Sequence, residues 1–257
     1  MDNEADSVQA VVKSSLSDGF QNLLWKLGRM VGEPTLEGIA TPSHSQAERL
    51  IVKLGEVFDI LNDRWGSASV SYILGNIRFL SDDYAGARAY YEQSVADFAD
   101  AGDASQQGRV CHQLGIVAQK QGNARLAREW YRRALAFGTR LGDHSSVART
   151  CHQLGNLAFL HGDAAEARAC YESALDVAKE MDDLGGVARA NYQLGLVAQR
   201  CGERQSAEQF YERASIAARL LGDGITVKRC RLQTDRLAAG KDADATTHSH
   251  VVDALTG

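Results

Sequence analysis

Proline is almost missing from this chain. Its two prolines, Pro34 and Pro42, both lie near the start, and the rest of the 257 residues contain none. Proline breaks helix interiors because it lacks a backbone N–H and clashes with the preceding turn. A proline-free stretch of this length is typical of long, closely packed helices.

Cysteine is also scarce, and no metal-binding motif is present. The five cysteines are Cys111, Cys151, Cys170, Cys201 and Cys230. They form no CxxC pair, and no cysteine and histidine cluster has zinc spacing. Cys111 and Cys151 are each followed by His-Gln-Leu-Gly, and we expect both to be small buried thiols. The sequence therefore predicts no metal site.

Long apolar runs and an excess of positive charge are missing as well. No run approaches the ~18 residues of a membrane span, and the acidic N-terminus does not resemble a signal peptide. The net charge of −5 gives no electrostatic attraction to nucleic acid or anionic lipid. We therefore expect a cytoplasmic protein that binds neither membrane nor nucleic acid.

Catalytic motifs are missing too. The chain contains no phosphate-binding loop, HExxH pair, nucleophile elbow or glycine-rich dinucleotide turn. His112 and His152 recur in the same two similar stretches as the first two cysteines, which places them as a column on neighbouring helices without an acidic partner. We predict that the protein is not an enzyme and uses no cofactor.

A 40-residue repeat is the dominant feature that is present. The block that begins at Cys111 returns at Cys151 with 17 of 40 positions identical. Related blocks begin at Ser71 and Asn191. A fixed period of this size marks a stack of repeated helical units.

Each of the four units carries the same signature residues. They are a Leu-Gly pair at 74–75, 114–115, 154–155 and 194–195, then alanines Ala87, Ala127, Ala167 and Ala207, tyrosines Tyr91, Tyr131, Tyr171 and Tyr211, and small residues Ser94, Ala134, Ala174 and Ala214. Turn residues separate the helices, for example Gly122 and Gly142. We expect Gly115 and its equivalents to admit a close neighbouring helix, and each tyrosine to fill the space that the alanines leave.

These residues resemble the tetratricopeptide repeat family across about 67–230. The resemblance implies an all-α fold, a right-handed α-solenoid of antiparallel helix pairs. The first helix of each pair, called the A helix (for example 105–121), lines a concave surface. The unit here is longer than the family's common one and lacks its closing proline. Units of this length look like those of bacterial regulator and signalling proteins, where they are usually interaction modules.

We divide the chain accordingly. Residues 1–13 are predicted to be a disordered tail, 14–66 N-terminal helices, 67–230 four repeats, and 231–257 the end of a capping helix with a disordered tail. Within 14–66 we expect a helix from about Ser15 to Gly32, a short helix after Pro34 and another over 44–64. Residues 14–66 are a degenerate repeat, a cap or the remnant of a helix-turn-helix. At the other end of the chain, the last helix is expected over 224–239.

One face of the A helices repeats without a packing reason, and it is the candidate groove for a ligand. Positions three, four and three residues apart share a helix face. The candidate residues are Tyr72, Asn76, Phe79, Arg109, His112, Gln113, Ile116, Gln119, Arg149, His152, Gln153, Asn156, Phe159, Arg189, Tyr192, Gln193, Leu196 and Gln199. The Asn76 and Phe79 pair returns as Asn156 and Phe159, which hints at an alternating pattern.

The row Arg109, Arg149 and Arg189 suggests a function for this face. Arginine binds carboxylates with forked donors, and Asn, Gln and Tyr suit a peptide. We predict a protein-interaction adaptor that binds a peptide or protein segment with an acidic preference. One alternative is a regulatory sensor or transcription regulator that acts through the N-terminal helices. Another is that the arginines pair with acids such as Asp143 and Glu166 and only solvate the surface. Homo-oligomerisation through the solenoid ends stays open.

Overall fold

The computed structural model describes residues 44–240, which fold into α-helices joined by short turns. Within that range it contains ten helices and no strand. Their bounds are α1 His44–Ile60, α2 Arg64–Leu80, α3 Tyr84–Asp100, α4 Ala104–Lys120, α5 Ala124–Leu141, α6 His144–Leu160, α7 Ala164–Glu180, α8 Leu184–Arg200, α9 Arg204–Leu220 and α10 Gly224–Ala238. The predicted all-α class is confirmed.

The turns between helices are only two or three residues long. Most contain a glycine with positive φ, such as Gly102 at 73° and Gly202 at 76°. At three turns, Asn62, Asp82 and Asp182 adopt the same left-handed conformation, which Asn and Asp tolerate better than most residues. Such short connections make successive helices antiparallel.

The chain divides into two compact units, Met1–Trp130 and Tyr131–Gly257, with the boundary inside α5. In the described part of the first unit, α1 to α4 pack each against the next. Two core clusters lie in this described part. They are formed by Ile51, Leu54, Phe58, Val70, Leu74 and Ile77, and by Ala68, Ala87, Tyr91, Phe98, Val110, Leu114 and Val117.

In the second unit, α6 to α10 pack each against the next. Its main core cluster includes Ala158, Phe159, Ala167, Tyr171, Leu175, Ala190, Leu194, Leu196, Val197, Ala198, Ala207, Tyr211, Ala214, Cys230 and Leu237. The cluster runs from α6 to α10, so the last helix buries apolar residues as the repeat helices do.

The repeat glycine and the repeat tyrosine are in contact within a helix pair. A Cβ atom added to Gly155 would lie 2.6 Å from Cε1 of Tyr171, and Gly75 stands in the same relation to Tyr91. The tyrosine rings are almost fully buried. The ring therefore fills the space that glycine leaves, whereas the sequence had pointed to the space beside the alanines.

The predicted N-terminal boundaries need correction. The helix expected over 44–64 ends at Ile60, and Asp63 caps a new helix by accepting a hydrogen bond from the Gly66 N–H at 3.0 Å. The helix that carries Leu74 and Gly75 therefore begins at Arg64, and the repeat boundary at 67 stays a prediction. The predictions for 1–13, for the helices within 14–43 and for 241–257 fall outside the described residues.

Candidate functional site

In the first unit, aromatic packing holds several predicted groove residues on α2 and α4. The exposed Arg109 places its guanidinium carbon 5.6 Å from the centre of the Tyr72 ring. Tyr72 in turn tilts against Tyr91, and Phe79 meets Tyr84 edge-on. The other predicted residues of this unit are half-buried or, for His112, buried: Asn76, His112, Gln113, Ile116 and Gln119.

In the second unit, four predicted groove residues line one cleft. Arg149, His152 and Gln153 come from α6, and Arg189 comes from α8. Both arginines are exposed, whereas His152 and Gln153 are half-buried. The structure thus brings together residues that belong to successive repeats of the sequence.

Tyr192 lies on the same α8 face but packs away from this cleft. Its ring centre is 5.8 Å from that of Tyr211. Burial raises the pKa of the Tyr192 hydroxyl, while a hydrogen bond with Gln233 of α10 acts in the opposite direction. Tyr192 therefore belongs to the contact between α8, α9 and α10.

Five predicted groove residues of the second unit are buried: Asn156, Phe159, Gln193, Leu196 and Gln199. Asn156 Oδ1 accepts a hydrogen bond from the Tyr171 hydroxyl at 2.7 Å. Phe159 lies 5.0 Å beneath the guanidinium carbon of Arg200. These side chains belong to the packing between helices, and we leave all five out of the proposed site.

The alternation in the repeats has an internal cause. In the first unit the Tyr91 hydroxyl donates to Asn76 Oδ1 at 2.6 Å, as Tyr171 does to Asn156. In α8 the equivalent of Asn156 is Leu196, which cannot accept. There the Tyr211 hydroxyl donates to Gln199 Oε1 at 2.7 Å instead. The paired change from Asn and Phe to Leu and Gln therefore preserves an acceptor for the tyrosine.

The cleft of the second unit has a volume of about 400 Å³ and lies between α6, α7 and α8. It is lined by Ser145, Ala148, Arg149, His152, Gln153, Tyr171, Ala174, Ala178, Met181, Asp183, Gly186, Arg189 and Ala190. Small buried side chains, Ala174 and Ala178, form part of its wall, and the two arginines are exposed. A cleft with an apolar wall and charged edges suits an extended polar chain.

The electrostatics of the cleft favour an anionic ligand. Arg149 and Arg189 carry positive guanidinium groups, and Asp183 is the one carboxylate among the described residues that line the cleft. Burial, and then the charge of Arg189, lower the pKa of His152 to about 4. At neutral pH His152 is therefore an uncharged hydrogen-bonding group, and the lining carries two cations against one anion.

The interpretation that the arginines only solvate the surface is partly supported. Hydrogen bonds from Ser146 lower the pKa of Asp143, and the charge of Arg149 adds to that effect. Glu166, the other acid considered, forms an ion pair with Arg132 at 3.1 Å. Among the described residues, Arg149 itself makes a long hydrogen bond, 3.3 Å, to Ser146 Oγ.

Two larger clefts lie elsewhere and hold none of the predicted groove residues. One of about 600 Å³ is formed by α1, α2 and α3, and one of about 790 Å³ by α9 and α10. The smaller cleft between α6, α7 and α8 is the one in which the repeated polar residues converge. We therefore treat it as the candidate site.

Models of the tetratricopeptide repeat match residues 66–137, 106–180 and 188–215, which together are more than half of the chain. This chain belongs to the tetratricopeptide repeat family. The solved structures that it resembles share its all-α solenoid fold. No curated protein sequence matches it significantly.

Three solved structures illustrate the fold that this tetratricopeptide protein shares. BtubC from P. vanneervenii is 16% identical, with a TM-score of 0.59, and the match covers 77% of this chain and 92% of BtubC. Aspartyl phosphate phosphatase F from Bacillus subtilis is 11% identical with a TM-score of 0.67, over 82% of this chain and 54% of the phosphatase. This chain therefore spans only about half of that protein.

A Rap protein complexed with Competence and Sporulation Factor is 15% identical, with a TM-score of 0.61, over 83% of this chain and 59% of that one. At such identities the likeness shows the fold alone. It confirms the α-solenoid that the sequence predicted for this tetratricopeptide protein.

The tetratricopeptide register also reveals residues that sequence reasoning missed. Arg229 and Gln233 of α10 continue the rows of Arg189 and Gln193 at the repeat period, so the signal was present in the sequence. The cleft residue Asp183 was not predicted, because aspartate stands at the same turn position in every repeat. Gly186, which also lines the cleft, was not predicted either. The equivalent position one repeat earlier, 146, holds serine.

The described residues also bear on metal binding and membrane insertion. Among residues 44–240, no group of three His, Cys, Asp or Glu side chains is arranged to hold a metal ion. No helix in that described range is both long and apolar enough to cross a membrane. Cys111 and Cys151 are buried thiols, as the repeat pattern predicted.

Proposed function

We propose that this tetratricopeptide protein is a non-enzymatic adaptor that binds an acidic segment of a partner protein in the cleft between α6, α7 and α8. The observation that carries the proposal is the convergence of Arg149 and Arg189 on a cleft with an apolar wall. Their guanidinium groups can each hold a carboxylate by two parallel hydrogen bonds. The cytoplasmic location predicted from the sequence is part of this proposal.

The neighbouring polar groups support a peptide as the ligand. Gln153 and the uncharged His152 can bond the backbone of an extended chain, and Ser145 adds a hydroxyl at the cleft wall. Ala174 and Ala178 leave room for an apolar side chain next to the acidic one. Charge-assisted bonds of this kind contribute roughly 1.5–3 kcal/mol each where water is partly excluded.

A direct test uses the full chain and a fluorescein-labelled hexaglutamate peptide, read by fluorescence anisotropy. We expect the Arg149→Gln/Arg189→Gln double variant to bind at least about ten-fold more weakly than wild type, because two charged contacts are lost. Arg125→Gln is the control, since it removes an arginine that is paired with Glu129 on α5, outside the cleft.

Two outcomes would overturn the proposal. One is equal affinity of wild type and the double variant for hexaglutamate. The other is equal affinity of wild type for hexaglutamate and hexaglutamine. If the test succeeds, a pull-down from the native host with the same double variant, and with a triple variant that adds Arg109→Gln, would identify the partner.

A regulatory sensor is the second candidate function. The observation that favours it is the likeness to a Rap protein bound to Competence and Sporulation Factor and to an aspartyl phosphate phosphatase. A gel-shift with genomic DNA fragments at physiological salt tests its transcriptional form, because only a regulator of transcription retains sequence preference there.

A further inference from the structure

Asp183 is an exception among the aspartates that precede helices. Six others accept a backbone N–H of the following first turn: Asp63, Asp83, Asp103, Asp143, Asp163 and Asp223. For example, Asp143 Oδ1 accepts the Ser146 N–H at 3.0 Å. Asp183 occupies the same position before α8, yet its side chain makes no capping hydrogen bond.

The carboxylate of Asp183 lies beside the first turn of α8 and within ion-pair distance of Arg189 at the cleft. Its Oδ2 is 3.9 Å from Nη2 of Arg189, and both residues line the cleft. A Cβ atom on Gly186 would lie 2.5 Å from Oδ2 and 2.8 Å from the Cβ of Ala178. The carboxylate therefore lies over a glycine, as the capping carboxylate of Asp83 lies over Gly86. Asp183 differs from that cap in its missing hydrogen bond and in its proximity to Arg189.

We infer that Asp183 competes with the ligand for Arg189 and so sets the affinity of the cleft for acidic segments. The inference rests on the proposed function. While the cleft is empty, Asp183 is the internal partner of Arg189. When a ligand carboxylate binds Arg189, the two like charges repel, and Asp183 is displaced.

The displaced aspartate has an alternative position. Its six counterparts show that an aspartate at this place can accept an N–H of the first turn. A cap stabilises a helix, whereas an exposed ion pair of nearly 4 Å contributes little. Moving the Asp183 carboxylate from Arg189 to the backbone N–H groups of α8 therefore costs little free energy. The ligand class that drives this movement is a carboxylate side chain.

The test measures hexaglutamate binding to the full-length Asp183→Asn variant by anisotropy. We expect binding about three- to ten-fold tighter than wild type, because a like charge next to the bound carboxylate is removed. The matched control is Asp163→Asn, which removes the same charge from a helix cap outside the cleft, and should change affinity less than about two-fold. Unchanged or weaker binding by Asp183→Asn would overturn the inference.

Two further variants separate competition from a general charge effect. Asp183→Glu keeps the carboxylate and is expected to bind as weakly as wild type. In an Arg189→Gln background, Asp183→Asn should alter affinity less than about two-fold, because the contested guanidinium is gone. If Asp183→Asn increased the affinity for hexaglutamate in that background as much as it does in wild type, Asp183 would act only through the electrostatic field of the whole protein.

The outcomes also distinguish this inference from the proposed function. If the Arg149→Gln/Arg189→Gln variant binds hexaglutamate as well as wild type, the proposed function fails. If that variant binds weakly but Asp183→Asn binds like wild type, only the role of Asp183 fails. A thermal midpoint for Asp183→Asn close to that of wild type ensures that the comparison concerns folded protein.

Discussion

The ring of Tyr211 lies where a side chain on Gly195 would be. A Cβ atom on Gly195 would sit 2.5 Å from Cε1 of Tyr211 and 2.7 Å from Cδ1. Gly195 belongs to the middle of α8 and Tyr211 to α9, and both residues are buried. The same contact at Gly75 and Gly155 explains why the Leu-Gly pair and the tyrosine recur together at the same spacing in these units.

Replacing Gly195 with alanine should therefore destabilise the protein. Alanine favours a helix by about 1 kcal/mol over glycine, but overpacking a buried ring typically costs roughly 1–3 kcal/mol or more. We expect a net loss of up to about 2 kcal/mol, measured by urea unfolding. Gly224→Ala is the control, because no atom lies within 4 Å of a Cβ there. A more stable Gly195→Ala variant would refute the packing argument.

The tyrosine hydroxyls differ in how much their loss should cost. Tyr171→Phe leaves Asn156, which is 1% exposed, without its hydrogen-bond donor. A buried polar group without a partner costs about 1–3 kcal/mol. Tyr91→Phe affects the half-buried Asn76, which water can reach more easily, so its cost should be smaller. Unfolding free energies of the two variants check the order, and equal losses would contradict it.

The alternation of Asn and Gln acceptors can be tested by exchanging one for the other. Asn156→Leu removes the acceptor of the Tyr171 hydroxyl and should destabilise by about 1–3 kcal/mol. Adding Phe159→Gln copies the arrangement of Leu196 and Gln199 and should recover part of that loss. A double-mutant cycle measures the coupling. If the changes in unfolding free energy of Asn156→Leu and Phe159→Gln were additive, the paired change would not serve to keep an acceptor for the Tyr171 hydroxyl.

His152 should make stability depend on pH. Its pKa is about 4 in the folded protein, against an ordinary value of 6.5. Between these values the unfolded chain binds more protons than the folded one, so stability is fully present above pH 6.5 and falls toward pH 4. The contribution is up to about 3 kcal/mol. Thermal midpoints across this range should fall less steeply in His152→Gln, and parallel curves would contradict the assignment.

The sequence by itself predicted most of the helical framework. The helix expected over 224–239 is α10 within one residue at each end, because turn glycines and a proline-free repeat of fixed period mark most boundaries in the repeats. The prediction failed at Ile60, where Asn62 turns the chain. That turn uses asparagine in place of glycine, which is a weaker signal.

The site was harder to predict than the fold, and the physical reason is visible in single residues. Sequence spacing alone cannot distinguish Arg149 from Asn156, since it places both on the same helix face. The tertiary structure separates them, because the Tyr171 hydroxyl of the next helix reaches Asn156, whereas Arg149 projects from the cleft edge. Only the packed helices could also show that Asp183 makes no capping hydrogen bond and lies 3.9 Å from Arg189. The repeating period thus determined the stack, and contacts between helices decided which polar groups remain available to a ligand.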